Sequence, residues 1–552
     1  MMNAAAWMDV YPRPRLRREN WMTLNGPWEL ALTMGRPPVA YDQTINVPFA
    51  LEAPLSGMRQ RHKKGQMLWY RRAFTLPESF AGKRVLLHCG GIDQHGAVYL
   101  NRQPVGMLDY THPTLEITGR LADENTLVIA VTDRLEDRAW PYGKQKNRRG
   151  GMWYTPVTGI WQTIWLEAVP QQYVQDIVIE PRGDAVLLRA LGVEEGVVTL
   201  ADGTEYPLRG GEALIAPENP EYWSPEHPKL YDFTLKTAED TVQSYFALRS
   251  VGIREKRLCL NGKPYFFHGL LDQGYWPEGI YTPPDPAGYD RDIQAVKDLG
   301  FNTLRKHIKV EPELFYAACD RLGIAVFQDM VNNGRYSFLR DTALPSLLPR
   351  LQRLPDRWMH RNRRDRAMFL AWMGETVRRL RSHPCVMYWT VFNEGWGQFA
   401  SSTVYDRLKA LDGSRIIDSA SGWFRGGRTD VESRHVYFKT FELPASDLPV
   451  VLSEFGGYGW KLPDHCFDQK GNYGYRNFKE GDEYRAALEA LYREQILPAI
   501  PRGLCAAIYT QVSDVEDEIN GLLTYDRAVC KPDGEAMRAL AEQMRQAIDQ
   551  EE

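Results

Sequence analysis

The strongest constraint on the fold is an alternation that begins after residue 257. Apolar runs of strand length recur eight times, at residues 265–271, 302–307, 324–329, 386–392, 415–419, 434–438, 450–455 and 504–511. Amphipathic segments with helical periodicity lie between them, at 287–299, 311–322, 366–381 and 483–496. This pattern is typical of βα repeats that form a parallel sheet. Eight such strands within residues 253–552 predict a (β/α)8 TIM barrel, in which functional residues lie at the carboxyl ends of the strands.

The first 252 residues show a different pattern. Short runs of alternating hydrophobicity, such as RVLLHC at 84–89 and TLVIAV at 126–131, are separated by Gly, Pro, Asn and Asp. This spacing predicts an antiparallel β-sandwich of the jelly-roll type over residues 1–170. Residues 171–252 repeat the pattern on the scale of an immunoglobulin-like β-sandwich. The sequence therefore predicts a multidomain chain of two sandwiches followed by a barrel.

Charge and cysteine usage exclude several functional classes. The chain has 67 Lys plus Arg against 71 Asp plus Glu, so there is no excess of positive charge to favour a nucleic acid or an anionic membrane as a partner. The seven cysteines contain no C-x-x-C pair, which argues against a disulfide framework or a thiolate metal site. A leader-like apolar stretch and a run of 18 uncharged apolar residues are both lacking, and we expect a cytoplasmic protein.

Two of the predicted strand ends carry a glutamate. Asn393-Glu394 follows the fourth strand, and Glu454 lies at the end of the seventh. The two glutamates are far apart in sequence, so they meet only if the barrel forms. Paired carboxylates are what glycoside hydrolysis requires, one as acid and base and the other as nucleophile or activator of water. For either glutamate alone, a salt bridge at the barrel rim is the alternative.

The sequence resembles glycoside hydrolase family 2, which contains β-galactosidases, β-glucuronidases and β-mannosidases. The resemblance extends over nearly the whole chain and rests on the motifs LNGPW (24–28), TPVTGIWQ (155–162), LNGKP (260–264), FNTLR (301–305), FNE (392–394) and SEFG (453–456). The family combines a sugar-binding sandwich, an immunoglobulin-like sandwich and a barrel, in agreement with the division above.

The resemblance implies roles for five residues of the barrel. Glu394 would be the general acid and base, and Glu454 the nucleophile, of a retaining double displacement. Tyr437 would donate a hydrogen bond to the nucleophile, and Asn393 would bind the 2-hydroxyl group of the sugar. Arg305 would lie beside the catalytic carboxylates.

Three further residues are predicted to contact the substrate. Asp133, in the first sandwich, aligns loosely with a family aspartate that reaches the sugar. Asp272 stands where the family has an Arg-His-Glu motif, and His307 adds positive charge after the second strand together with Lys306 and Lys309.

Met330 occupies the place of a family glutamate that helps to bind magnesium. A thioether does not suit that cation, so we expect no metal and no cofactor.

The sequence leaves the sugar open. A β-galactoside is the first expectation. A β-uronidase, either a β-glucuronidase or a β-galacturonidase, is the alternative, because residues 331–364 contain eight Arg and two Asp. The Asn-x-Lys motif of β-glucuronidases is missing after the eighth strand, and Asn477-Phe478-Lys479 occurs after the seventh. A carbohydrate-binding protein without catalysis is the alternative from another class. Small glycosides are the expected partners, and a homo-oligomer is compatible with the sequence.

Overall fold

The N-terminal unit consists of two main antiparallel sheets that share one core. The computed structural model describes residues 5–354, 356 and 359–548. The strands of this unit are β1 (Trp21–Thr23), β2 (Gly26–Thr33), β3 (Gln43–Val47), β4 (Met67–Phe74), β5 (Arg84–Cys89), β6 (Ile92–Asp93), β7 (His95–Leu100), β8 (Gln103–Asp109), β9 (Thr114–Glu116), β10 (Asn125–Thr132), β11 (Gly159–Ile160) and β12 (Ile164–Val169). The sheets run β3-β2-β4-β10-β7-β8 and β1-β12-β5-β9, and β6 pairs with β11. Trp28 and Ile129 of one sheet and Leu87 and Leu166 of the other belong to one buried cluster, which makes the unit a β-sandwich.

The second unit is an antiparallel sheet of seven strands around its own core. Its strands are β13 (Asp176–Arg182), β14 (Ala185–Leu191), β15 (Glu195–Leu200), β16 (Glu205–Arg209), β17 (Glu212–Ile215), β18 (Tyr231–Lys236) and β19 (Thr241–Phe246). They are ordered β13-β14-β17-β16-β15-β18-β19, and Leu188, Val198 and Phe233 lie in the core. A small sheet of β20 (Val251–Arg254), β21 (Arg257–Leu260) and β22 (Lys263–Pro264) leads to the barrel. The jelly-roll and immunoglobulin-like topologies and the boundaries at 170 and 252 remain predictions.

The third unit is the predicted TIM barrel. Its eight parallel strands are β23 (Phe267–Asp272), β24 (Thr303–Lys306), β25 (Ala325–Asp329), β26 (Val386–Thr390), β27 (Ile416–Asp418), β28 (Glu432–Val436), β29 (Val450–Gly456) and β32 (Leu504–Thr510), while β30 (Tyr458–Trp460) and β31 (Arg476–Phe478) form a side pair. The order β27-β26-β25-β24-β23-β32-β29-β28 is that of a barrel whose seam lies between β27 and β28. Each strand lies within two residues of its predicted limits.

The helices of the barrel also follow the sequence pattern. They are α1 (Gly288–Asp298), α2 (Glu313–Leu322), α3 (Leu344–Leu347), α4 (Arg363–Leu380), α5 (Ser401–Leu411), α6 (Gly481–Leu491) and α7 (Gly534–Gln546). The segment predicted as one helix over 483–496 is α6 continued by a π-helical turn, Tyr492–Ile496. All residues of β25, β26 and β32 are buried, as expected for parallel strands covered on both faces. The described helices include none with the length and apolarity needed to cross a membrane.

A loop of the N-terminal sandwich packs on the carboxyl ends of the barrel strands. The backbone N–H of Tyr142 donates to the carbonyl of Asn332 at 3.1 Å, and the Tyr142 hydroxyl donates to the carbonyl of Gly334 at 2.9 Å. Tyr142 shares a buried cluster with Leu135, Ile308 and Trp396. The sandwich therefore forms one wall of the space above the barrel.

A buried arginine joins the two β-sheet units. Arg18 lies 3.1 Å from Glu167 of β12 and 2.8 Å from Asp240, just before β19, and no more than 5% of any of the three side chains is exposed. We expect Arg18→Met to lower stability by about 3–5 kcal/mol, because both carboxylates would remain buried without this partner. The midpoint of urea unfolding measures the change. Arg71→Met is the control, since the Arg71–Glu29 pair is 37% and 51% exposed and should contribute about 0–1 kcal/mol. Equal midpoints for the two variants would contradict the prediction.

Candidate active site

The two predicted glutamates meet above the barrel. Glu394 follows β26 in the left-handed region, with φ of 52°, and its N–H donates to the carbonyl of Ser421 at 2.8 Å. Glu454 lies within β29. One carboxylate oxygen of each glutamate and one ring nitrogen of His435 all lie within 4.8 Å of one another. The barrel thus brings two residues that are distant in sequence close together in space.

Glu454 is held in its ionised form. Arg305 Nη1 donates to its Oε1 at 3.0 Å, and the Tyr437 hydroxyl donates to its Oε2 at 2.5 Å. Burial by itself would raise the pKa of Glu454, but electrostatic interactions, chiefly with His435 and Arg305, outweigh it and lower the pKa to about 2. Burial and the charge of Glu454 raise the pKa of Tyr437 well above its ordinary value, so the phenol remains a neutral donor.

Arg305 also orients the residues around Glu454. Its guanidinium binds Asp329 through two nitrogens, at 2.9 and 3.1 Å, and donates from Nη2 to Asn393 Oδ1 at 2.8 Å. Because the oxygen of the Asn393 amide accepts this bond, its NH2 group is left to donate to a ligand. His307 Nδ1 lies 2.8 Å from Asp329 Oδ2, and burial lowers the pKa of His307 to about 4. His307 is therefore neutral near pH 7 and contributes no positive charge to the site.

Sequence reasoning missed His435. Its Nδ1 lies 2.8 Å from Glu394 Oε1 and 3.5 Å from Glu454 Oε2, and its Nε2 lies 2.9 Å from Ser421 Oγ. The spacing of His435 and Tyr437 could have indicated it, because side chains two residues apart on a strand point to the same face. Sequence reasoning also missed the buried pair of Asp329 with Arg305.

Two predicted substrate contacts lie apart from the glutamates. Asp272 forms an ion pair with Lys306 at 2.6 Å, and Lys306 also binds Glu311. Asp133 is buried in the sandwich, where its Oδ2 accepts a hydrogen bond from the Thr158 hydroxyl at 2.9 Å, and burial raises its pKa to about 8. Among the described contacts, neither aspartate touches Glu394 or Glu454. Their roles in substrate binding remain predictions.

Lys309 and the arginines of residues 331–364 carry the positive charges that favoured an acidic sugar. Most of them either pair with an acidic side chain or are exposed to solvent. Lys309 donates to two backbone carbonyls and pairs with Glu311 at 2.8 Å. In the Arg-rich segment, Arg340 pairs with Asp341 and Arg364 pairs with Asp137. The side chains of Arg335, Arg350 and Arg363 are exposed. Arg357 and the side chain of Arg353 lie outside the described residues.

One lysine from the sandwich loop does lie near the glutamates. A Cβ at Gly143 would stand 3.1 Å from the carbonyl oxygen of Ile308, so the loop backbone runs against the end of β24 at this point. The next residue, Lys144, is half-buried, and its charge contributes to lowering the pKa values of Glu454 and His307. No described group accepts a hydrogen bond from its ammonium.

Aromatic rings form the rest of the wall that the sandwich loop builds above the barrel. Trp396, two residues after Glu394, has its ring centroid 5.2 Å from Tyr142 and 5.3 Å from Trp153, and Trp153 lies 5.0 Å from Tyr336. Such rings present apolar faces beside the polar floor of the site, which suits the mixed polarity of a sugar.

The spacing of Glu394, His435 and Glu454 would also suit three ligands of a metal ion. However, both oxygens of Glu454 already accept hydrogen bonds from Arg305 and Tyr437. A cation beside the Arg305 guanidinium would meet electrostatic repulsion. The arrangement fits acid–base and nucleophilic chemistry better than metal binding.

A TIM barrel that carries two adjacent carboxylates at its strand ends, one of them held ionised, is typical of glycoside hydrolases. Residues 251–443 match the family description "Glycosyl hydrolases family 2, TIM barrel domain", and residues 184–254 match "Glycosyl hydrolases family 2". The chain belongs to glycoside hydrolase family 2.

Curated relatives include both β-galactosidases and β-glucuronidases. The chain is 25% identical over 358 residues to a β-galactosidase of Thermoanaerobacter pseudethanolicus, a match that covers 58% of this chain and 44% of that protein. It is 24% identical over 488 residues to a β-glucuronidase of Felis catus, covering 74% of this chain and 69% of that protein. The matched region thus spans less than half the length of that β-galactosidase.

Solved structures share the fold along the whole chain. A β-D-glucuronidase of Dictyoglomus thermophilum superimposes with a TM-score of 0.72 at 17% identity, covering 97% of this chain and 98% of that one. A family 2 β-galacturonidase of Eisenbergiella tayi bound to galacturonate superimposes with a TM-score of 0.67 at 18% identity, covering 98% and 99%. At these identities the likeness establishes the multidomain architecture with its barrel.

The low pKa of Glu454 predicts a pH-dependent contribution to stability. The carboxylate ionises at lower pH in the folded protein than at its ordinary value of 4.5, so its contribution is present above pH 4.5 and is lost as the pH falls toward 2. We expect the stability of the wild type relative to Glu454→Gln to fall by about 2 kcal/mol between pH 6 and pH 3. Urea unfolding at the two pH values measures this difference. A constant difference would contradict the prediction.

Proposed function

We propose that the protein is a retaining exo-β-glycosidase in which Glu454 is the nucleophile and Glu394 the general acid and base. The observation that carries the proposal is the pair of carboxylate oxygens within 4.8 Å. Retaining enzymes hold their carboxyl groups about 5–5.5 Å apart, whereas inverting enzymes leave about 6.5–9.5 Å for a water molecule. The hydrogen bonds from Arg305 and Tyr437 support the nucleophile assignment, because they keep Glu454 ionised.

The reaction proceeds in two displacements. First, Glu454 forms a bond to the anomeric carbon while the bond from that carbon to the leaving oxygen breaks, and Glu394 gives its proton to this oxygen. Then water attacks the anomeric carbon, Glu394 takes the proton of the water, and Glu454 leaves as a carboxylate. The free NH2 group of Asn393 would donate to the 2-hydroxyl group, an interaction that strengthens as positive charge develops on the sugar.

A terminal β-galactoside is the first proposed substrate, in keeping with the relatives named β-galactosidase. The wall that the sandwich loop builds through Tyr142, Trp153 and Trp396 supports action at the chain end, because it closes one side of the site. A cytoplasmic location and a homo-oligomeric state remain predictions.

Substitution of each glutamate tests the mechanism. On p-nitrophenyl β-galactoside, Glu454→Gln should lose at least about 10⁴-fold in kcat, because the covalent intermediate cannot form. Glu394→Gln should retain turnover of dinitrophenyl glycosides, whose leaving group needs no acid, and azide should restore the second step. NMR of the first-formed product should show the β-anomer. Equal residual activity in both variants, or an inverted first product, would contradict the assignment.

A β-uronide is the second candidate, and Lys144 is the observation that favours it. Its ammonium has no described hydrogen-bond acceptor, lies beside the end of β24, and acts electrostatically on Glu454. An unpaired cation in a partly buried site is suited to the carboxylate of a uronic acid. The solved structures named β-glucuronidase and β-galacturonidase agree with this alternative.

The comparison of p-nitrophenyl galactoside, glucuronide and galacturonide separates the two candidates. If a uronide is the substrate, Lys144→Met should lower kcat/KM for it about 10- to 150-fold, the equivalent of about 1.5–3 kcal/mol for a charged hydrogen bond. Lys64→Met, at an exposed lysine of the same sandwich, is the control and should leave kcat/KM unchanged. A preference for the galactoside that Lys144→Met leaves intact would exclude the second candidate.

A further inference from the structure

We infer that His435 is a doubly protonated imidazolium whose positive charge balances Glu454 in the free enzyme and Glu394 in the glycosyl-enzyme. This inference rests on the proposed function, since it assigns to His435 a part in both displacements. His435 is a positioning residue rather than a catalytic one, because it acts through the two glutamates.

The serines behind the ring allow Nε2 to carry a hydrogen. Ser453 Oγ is placed to donate to the carbonyl of Arg434 at 3.1 Å, and Ser421 Oγ to donate to Ser453 Oγ at 3.0 Å. Ser433 Oγ also lies 2.6 Å from Ser453 Oγ and 3.2 Å from Ser421 Oγ, and can donate to either. When Ser421 gives its hydrogen to Ser453, it accepts from His435 Nε2, 2.9 Å away.

The opposite nitrogen faces two carboxyl groups. Nδ1 of His435 lies 2.8 Å from Glu394 Oε1 and 3.5 Å from Glu454 Oε2. With a hydrogen on Nε2 alone, Nδ1 could only accept the acidic hydrogen of Glu394, 2.8 Å away, which would turn that hydrogen from the sugar and leave a lone pair beside the ionised Glu454. A second hydrogen on Nδ1 turns this repulsion into a hydrogen bond to Glu394 and an attraction to Glu454. The side chain of His435 is fully buried, so water does not screen either interaction.

The charges around the nucleophile also call for a second cation. Arg305 carries one positive charge, and Asp329 and Glu454 carry two negative charges between them. The pKa of Asp329 would be raised by burial, but Arg305 and His307 lower it, which keeps the carboxylate ionised. These three buried groups are therefore one positive charge short of neutrality, and unbalanced buried charge is costly. Lys144 also acts on Glu454, but it is only half-buried and pairs with none of the three among the described contacts. An imidazolium at His435 supplies that charge when Glu394 is a neutral acid.

The remaining groups that face the ring do not supply a cation. Asp418, at the end of β27, is a carboxyl group whose pKa is raised by burial, so it adds no positive charge. Tyr437, on the same segment as His435, is a neutral phenol. Ser421, Ser433 and the ring of Trp423, 5.9 Å from the imidazole, complete the surroundings.

The position of His435 allows it to serve both halves of the reaction. When Glu454 bonds to the anomeric carbon and the leaving oxygen takes the proton of Glu394, the negative charge passes from Glu454 to Glu394. In the second half, the water proton returns to Glu394 and the charge returns to Glu454. The imidazolium keeps both of its hydrogens and lies beside the negative charge throughout, so neither step leaves a buried carboxylate without a partner.

The test is the pH dependence of kcat/KM for His435→Asn, measured on whichever p-nitrophenyl glycoside the wild type hydrolyses best. The asparagine NH2 can take the place of Nδ1–H without the charge. We expect kcat/KM to fall at least tenfold and both limbs of the profile to move to higher pH, because the loss of a cation makes both glutamates harder to ionise. A purely structural role would lower activity without moving the limbs.

His383→Asn is the matched control. His383 is also buried and bonds a carboxylate, Asp320, at 2.6 Å, but it lies outside the site. Both limbs should remain in place in this variant. Unmoved limbs in His435→Asn, or movement of one limb alone, would overturn the inference.

A second measurement uses the wild-type enzyme and so does not depend on the folding of a variant. Nitrogen-15 NMR of histidine-labelled enzyme, before and after trapping with a 2-deoxy-2-fluoro glycoside, should show His435 as an imidazolium in both states. A neutral ring in either state would overturn the inference. If the wild type hydrolyses no glycoside and the inhibitor does not label Glu454, the proposed function fails instead, and the spectrum of the free enzyme still reports the charge of His435.

Discussion

The guanidinium of Arg305 is the interaction on which the site depends. It is buried, and it binds Asp329 on β25, Asn393 after β26, and both the carboxylate of Glu454 and the carbonyl of Ser453 on β29. A buried arginine is tolerated only if its donors are satisfied, and each partner here comes from a different place in the chain. The same bonds that compensate the buried charge also hold the carboxylate of Glu454 and the amide of Asn393 in place. The site is therefore assembled only when these barrel strands come together.

The charges of the site are arranged in two groups. Arg305 and Asp329 form a pair beside Glu454. Glu394, His435 and Glu454 form the second group, in which the proposed mechanism would move the negative charge from one glutamate to the other. Burial excludes water from both groups, which makes each unpaired charge costly and each pairing effective. This explains why serines, rather than solvent, hold the far side of His435.

The sandwich loop adds a wall that the barrel alone does not have. Its aromatic rings meet Trp396, which follows the acid in sequence, and Lys144 approaches the end of β24. The two glutamates thus come from the barrel, and the N-terminal unit adds an aromatic wall and one lysine beside them. The residues of that wall differ from those that hold the carboxylates, so they can vary without disturbing Glu394 and Glu454.

The sequence by itself determined the barrel strands, the glutamate pair and the candidates Arg305, Asn393 and Tyr437, because hydrophobic period and short motifs are local properties of a chain. Only the tertiary structure decided which charged groups are free. The sequence pointed to Lys306 and Lys309 and not to Lys144, yet Glu311 pairs with both of the lysines that it indicated. His307 and His435 also look alike in sequence, but one faces Asp329 and the other lies between the two glutamates. The reason is physical, since the charge state of a buried group depends on partners that fold toward it from distant strands.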